Sequence, residues 1–211
     1  MFENWFLRSS TTSECCLSDV TSMIIRGQTT NYVENSDLIN INQKVNKGRY
    51  LEMQYCKFLN PAIDISPEKF TRKGDVLLNS LGQGTLGRVH YWNIQSSNYV
   101  IDQHITIIRA KENVTTPIYL YMLLSSNEFY NNFLNSVTGS TGMQMLNISA
   151  VRSTKIPNIP YVAQKDISII LNPLFEQIEI NRIENEKLAD IRNALLPRLM
   201  NGDIAVSNIT V

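Results

Sequence analysis

Gly82, Gly84 and Gly87 stand at G-x-G-x-x-G spacing within LNSLGQGTLGRVHYW, residues 78–92. That spacing marks a loop whose backbone closes on the pyrophosphate of a dinucleotide. The chemistry needs a strand before the glycines and a helix after them, with its N-terminus facing the phosphates. It also needs an acid about 20 residues further on for the ribose. Residues 76–80 have strand character, and Asp102 occupies the place of the acid. The helix is missing. Arg88, Val89, His90, Tyr91 and Trp92 are strand formers rather than helix starters. The preferred reading is a strand-to-strand loop that exposes backbone. A nucleotide-binding enzyme built on the same loop is the alternative.

Other catalytic constellations are scarce. His90 and His104 are the two histidines, and neither has a cysteine or carboxylate at metal-ligand spacing, so both read as structural. There is no nucleophile elbow and no P-loop lysine. Asn60-Pro61 and Asn172-Pro173 lack the Asn-Pro-Pro-aromatic run with which amino-methyltransferases hold a flipped base. Cys15, Cys16 and Cys56 form no C-x-x-C pair. The odd count is expected of a reducing cytoplasm, with Cys15 and Cys16 as small hydrophobes at an element edge. The chain is expected to be non-catalytic, with no cofactor, no metal and no membrane span.

Two polar glycine loops remain, 82–88 and 138–144. Gln83, Thr85, Arg88, Ser140, Thr141 and Gln144 are side chains of the kind that contact base edges or nucleic-acid backbone: Arg pairs with guanine, Gln with adenine. Lys44, Lys47, Arg49, Arg72 and Lys73 are candidates for phosphate. Net charge is zero over the chain, yet residues 44–88 hold eight basic against four acidic side chains. A local excess of that size also fits an ordinary solvated surface.

The elements that must position these loops follow from periodicity. Residues 17–25 alternate loosely and end in a turn at Gly27. Strand chemistry covers 38–43, 51–58, 76–80, 88–94 and 99–109. Ser66-Pro67 starts a single helical turn, and Pro117 a helix of about 18 residues to Asn135. Pro157 and Pro160 close the domain. Beyond them, Ile167, Leu174, Asn181, Leu188 and Leu195 alternate four and three residues with Leu171, Ile178, Asn185 and Arg192, widened by Ile170 and Ile191. That narrow stripe predicts an inter-helix seam, with the two asparagines setting register. Pro173 either kinks the helix or starts a second one.

Taken together, ININQKVNKGRY (39–50), KGDVLLNSLGQGTLGRVHYW (73–92), VIDQHITIIR (100–109), TGSTGMQMLNISAVRSTKIPNIP (138–160) and FEQIEINRIENEKLADIRNALLPRLMNGDI (175–204) resemble half of a specificity subunit of a type I restriction-modification system. The FENWF run at 2–6 resembles the close of a helical region in that family. The resemblance implies an α+β chain: a mixed α/β target recognition domain with a twisted β-sheet over 1–160, a helical spacer and dimerisation region over 161–203, and a tail at 204–211. A full subunit of the family carries two recognition domains, and this sequence has one. The resemblance further implies double-stranded DNA as ligand, with modification (methyltransferase) subunits and a restriction subunit as partners. The second half-site would come from a second copy of the chain or from another half-subunit. A helix of ~30 residues is ~45 Å long, more than one turn of DNA, so two antiparallel copies would read a bipartite palindrome. The rival within this reading is a module that binds modification subunits without reading DNA.

Overall fold

The computed structural model describes residues 13–29, 31–138 and 144–203. Ser140 and Thr141, the run at 2–6 and the 204–211 tail lie outside the described residues. The chain divides into two compact units, one ending at Leu171 and the other beginning at Asn172.

In the first unit, β1 (Glu14–Cys16) carries the paired cysteines. A 3-10 turn at Leu17–Asp19 leads to β2 (Thr21–Arg26), so the loosely alternating 17–25 segment is a turn and a strand rather than one element. The short β3 (Tyr32–Val33) and β4 (Ile39–Ile41) follow. Within 51–58 the strand expectation fails in part: Met53–Tyr55 is a 3-10 turn, and only β5 (Lys57–Leu59) is extended. Pro67 starts one 3-10 turn, as its N1 position predicts. Next come β6 (Val76–Asn79), buried at every position, and β7 (Val89–Tyr91).

The single strand expected over 99–109 is two, β8 (Tyr99–Ile101) and β9 (Ile105–Ala110). Asp102 interrupts it, its carboxylate accepting the His104 N–H at 2.8 Å in a local turn that competes with ladder pairing. The helix expected over 117–135 is also two, α1 (Pro117–Leu124) and α2 (Asn127–Asn135). Ser126 caps the second helix, accepting the Phe129 N–H, and its extended backbone ends the first. The unit continues through β10 (Val137–Thr138), β11 (Met145–Leu146), α3 (Ile148–Ser153) and β12 (Lys155–Pro157).

Two four-stranded sheets form the body. One has the order β2-β9-β6-β7, antiparallel throughout. The other has the order β3-β5-β4-β8, where β4 and β8 run parallel. β1 pairs with β12, and β10 with β11. The core joins both large sheets: Ile41, Leu77, Ile101, Ile105 and Ile107 meet around fully buried Trp92, whose ring meets Tyr99 edge-on at 5.1 Å. β6 reads as a continuous apolar run because both of its faces are covered.

A last helix, α4 (Tyr161–Met200), contains both Pro173 and Pro197. The two-helix alternative at Pro173 therefore does not hold. A proline in a helix interior costs about 3 kcal/mol, but the carbonyl it frees belongs to Ile169, an exposed residue where water can satisfy it. The start of α4 belongs to the first unit. Gln164 is buried there, accepting from the Thr115 hydroxyl (2.7 Å) and the Thr116 N–H (2.9 Å) while donating to the Ile159 carbonyl (2.8 Å). The Ser168 hydroxyl donates to Thr116 Oγ1 at 2.9 Å. In the second unit, Arg182 bridges Glu179 and Glu186, both at 2.6 Å, as helical neighbours three and four residues apart should. Hydrogen bonding to Glu179 binds the guanidinium proton more tightly than usual. Among the described residues no helix is long and apolar enough to cross a membrane.

Candidate nucleic-acid interface

The glycine loop joins β6 to β7, two antiparallel neighbours. No helix follows it, so the dinucleotide fingerprint is matched in letters and not in structure. Gly82 has φ +114°, and a Cβ there would run into the Gln43 side chain. Gly87 has φ +81°, with the Tyr130 ring 3.0 Å from where a Cβ would sit. Both positions need glycine for backbone conformation and close approach, without any phosphate.

The loop is internally tied. Arg88 donates through Nη2 to the Gly84 carbonyl at 3.0 Å. The Thr85 hydroxyl lies 3.1 Å from Gln43 Oε1 and 3.3 Å from the Gly82 carbonyl. Gln83 stands exposed at the tip. The segment closing the second glycine loop runs beside it. The Gly82 N–H donates to the Gln144 carbonyl (3.3 Å), the Leu146 N–H to the Ser80 carbonyl (2.9 Å), and Leu81 bridges Met145. Gln144 is exposed next to the first loop.

A third segment, 42–49, docks on the same end of β6. Buried Asn46 donates to Asn79 Oδ1 at 2.9 Å, and Asn79 donates back to the Asn46 and Gln43 carbonyls at 3.3 and 3.2 Å. The Asn42 side chain accepts the Lys44 N–H at 2.8 Å, shaping the turn that presents Lys44. Lys44 and Arg49 are exposed there. Lys47 is already engaged, 3.1 Å from Glu52 and 4.9 Å above the Tyr55 ring. The His90 ring reaches the Gly48 carbonyl at 2.7 Å.

Arg72 and Lys73 are elsewhere. They precede β6, while the glycine loop follows it, and they stand exposed beside a groove lined by Phe70 and residues 95–97. The structure thus brings Lys44, Lys47, Arg49, Gln83, Thr85, Arg88 and Gln144 to one end of the sheet and leaves Arg72 and Lys73 at the other.

Sequence reasoning missed a neighbouring cleft of 330 Å³, lined among others by Tyr32, Gln43, Lys44, Tyr55, Lys57 and His104. Lys57 Nζ lies 4.4 Å over the Tyr32 ring. His104 does have a carboxylate partner: its Nδ1 is 2.9 Å from Asp102 Oδ2. Asp102, placed where a ribose-binding acid belongs, is instead buried against this imidazole. Burial pushes its carboxyl up, and the His104 hydrogen bond draws it back down. The signal available in sequence was the Asp-x-His spacing, a common side-chain-to-backbone turn. Among the described residues no three metal-ligating side chains converge.

On α4, Ile167 is 8% exposed and packs inside the first unit. Leu171 is half-buried. The rest of the stripe lies on the surface: Leu174 (56%), Ile178 (57%), Leu188 (55%), Ile191 (54%) and Leu195 (40%). Asn181 and Asn185 are exposed at its middle, and the Gln177 amide donates to Asn181 Oδ1 at 2.8 Å.

The architecture is α+β, a two-sheet domain followed by a long helix. The chain belongs to the family of the type I restriction modification DNA specificity domain, whose pattern matches residues 16–190. It is 29% identical over 185 residues to the type I restriction enzyme HindI specificity subunit of Haemophilus influenzae, covering 86% of this chain and 39% of that one. The fold is similar to that of the HsdS subunit from Thermoanaerobacter tengcongensis (TM-score 0.56, 16% identity, all of this chain and 54% of that one). It is also similar to that of the type I restriction-modification S subunit from M. genitalium (TM-score 0.61, 14% identity, 93% and 48%). The chain spans about half the length of these solved relatives and less of the curated one.

Proposed function

We propose that this chain is a DNA-reading half of a type I specificity subunit. The observation that supports it most directly is the convergence of the first glycine loop and the 144–146 segment with the lysine-bearing 42–49 turn at one sheet end. There, Gln83, Arg88 and Gln144 reach for bases, with Thr85 supporting the loop. Ser140 and Thr141, close to Gln144 in sequence, are proposed to contact DNA with it. Lys44 and Arg49 contact phosphates beside them, Lys47 joins them on exchanging Glu52 for a phosphate, and Arg72 and Lys73 contact phosphates at a separate point. The recognition unit corresponds to residues 1–160 and the spacer to 161–203. The chain carries no catalytic group of its own and directs modification and restriction subunits to the site.

Binding to duplex DNA should weaken steeply with salt, because each neutralised phosphate releases counterion. Arg88→Ala is expected to cost specific binding about 1–3 kcal/mol and nonspecific binding much less. Anisotropy titrations on target and scrambled duplexes measure both. An equal loss on the two would demote Arg88 to shaping the loop through Gly84. The target comes from methylation mapping of the host genome with and without the gene: a bipartite palindromic motif should disappear from the methylated set.

The exposed stripe on α4 pairs two copies antiparallel and so relates two recognition units by a two-fold axis. Sedimentation should give twice the monomer mass, and a monomer at tens of micromolar would remove this part of the reading. The seam residues from Ile170 through Leu174, Ile178, Asn181, Asn185, Leu188, Ile191 and Leu195 form the contact, with Leu171 at its margin. Replacing Asn181 and Asn185 together by Leu should preserve helicity by circular dichroism yet yield mixed oligomers, since buried amides select register.

A further inference from the structure

We propose that His104, held by Asp102, is a phosphodiester contact in the cleft between Tyr32 and Tyr55, and that it makes DNA affinity depend on pH. The inference rests on the DNA-reading proposal above and adds a site to it.

Three observations carry it. The charged and titratable groups that line the cleft with this ring are Tyr32, Lys44, Tyr55, Cys56, Lys57 and Asp102. The one carboxylate among them is buried and occupied by His104 itself, so the ligand the cleft suits is an anion. Next, the ring is built in rather than dangling. Asp102 takes the backbone N–H of His104 on one oxygen (2.8 Å) and Nδ1 on the other (2.9 Å), and the side chain still keeps 28% exposure toward the cleft. Last, the cleft adjoins the reading loops. Gln43 lines it and also meets Thr85 of the glycine loop at 3.1 Å. A strand read by that loop therefore passes its backbone along the cleft.

The proton dependence follows from donor inventory. With Nδ1 committed to Asp102, Nε2 is the nitrogen left for a ligand. On a neutral ring Nε2 only accepts, and so do phosphate oxygens. The contact forms when the ring is protonated at Nε2, where the imidazolium then donates to the phosphate while Asp102 balances its charge. Binding is therefore coupled to the uptake of a proton at Nε2. By linkage, affinity rises as pH falls, and bound DNA favours the protonated ring by the same factor.

The test uses the full chain and a mixed-sequence duplex of about 30 base pairs at fixed low salt, since phosphate contacts need no particular sequence. Between pH 8 and 6.5 the wild-type protein should gain about fivefold in affinity. His104→Gln, whose amide does not titrate, should be flat over that range, and His90→Gln should keep the gain. On the unmodified protein, NMR titration of the two histidine rings should show the His104 pKa rising when duplex is added; this readout needs no variant to fold. A flat wild-type profile, or an unchanged slope in His104→Gln with no pKa shift, overturns this inference alone. Absence of any duplex binding by the wild-type chain overturns the DNA-reading proposal and this inference with it.

Discussion

Asp75→Ala is expected to destabilise the protein by about 3–5 kcal/mol, the range found when one partner of a buried ion pair is removed. Asp75 is 1% exposed and takes a two-pronged contact from Arg109, Nε to Oδ1 at 2.6 Å and Nη2 to Oδ2 at 2.7 Å. The same carboxylate accepts the Arg72 N–H at 2.7 Å and so shapes the turn into β6. Without it, the Arg109 guanidinium, with only 14% side-chain exposure, keeps a single long contact to the Phe70 carbonyl at 3.3 Å. Arg109 lies on β9 and Asp75 at the head of β6, two adjacent strands of the four-stranded antiparallel sheet. Urea unfolding should show the midpoint shift with an unchanged slope, and the thermal midpoint should fall by roughly 10 °C for a chain of this size. A loss under about 1 kcal/mol would mean that water reaches Arg109 and that the pair behaves as a surface bridge. Replacing both partners with apolar residues of similar volume should cost far less than the single change, because no charge is then left buried.

Gly27→Ala should be of comparable severity, for a steric reason. A Cβ at Gly27 would overlap the carbonyl oxygens of Ile101 and Asp102 and lie 2.5 Å from the Asp102 carbonyl carbon. All three atoms are backbone, so no side-chain rotation relieves the clash. The 26–28 segment and the 101–102 segment must separate. That movement strains the Gly27 N–H bond to the Ile105 carbonyl (2.9 Å) and the bridge between Gln28 and Asp102. A tightly packed interior yields poorly to such insertions, and about 3 kcal/mol or more of stability should be lost. The displaced segment includes the Asp102 turn that orients His104, so any folded fraction should also lose the pH dependence of DNA binding. Denaturant melts with hydrogen exchange at residues 101–105 would reveal both effects. Wild-type stability in this variant would show that the two backbones part easily.

Both predictions concern contacts that sequence patterns do not carry. What the chain determines locally is its periodicity. The apolar run at 76–80 announces a strand covered on both faces, Pro67 a single turn, and the four-three stripe from 167 to 195 a long helix with one apolar edge. The strand formers after Gly87 exclude a phosphate-binding helix. These signals lie within a few residues of each other, and backbone geometry repeats at the same short periods. Two breaks were local too, yet hidden by the averaging that finds periodicity. One was the Asp102 turn that divides β8 from β9; the other was the Ser126 cap that divides α1 from α2. In each, a single side chain captures a nearby backbone N–H.

The candidate interface was legible as residue types and not as a place. Lys44, Arg88 and Gln144 were named for their chemistry, but 42–49, 82–88 and 144–146 converge because β6 carries the glycine loop where Asn79 binds Asn46 and Ser80 accepts from Leu146. Arg72 and Lys73, close to Arg88 in sequence, sit at the opposite end of the same strand, since an extended chain gains ~3.3 Å per residue. Asp75 and Arg109, 34 positions apart, are ion-paired only through the β6–β9 register. Ile167 belongs to the stripe by spacing, but folding buries it in the first unit. By itself, the sequence determined which elements form and which residue types they display. The tertiary structure decided which of them meet, because pairing between distant strands depends on packing across the whole core, and no spacing along the chain records it.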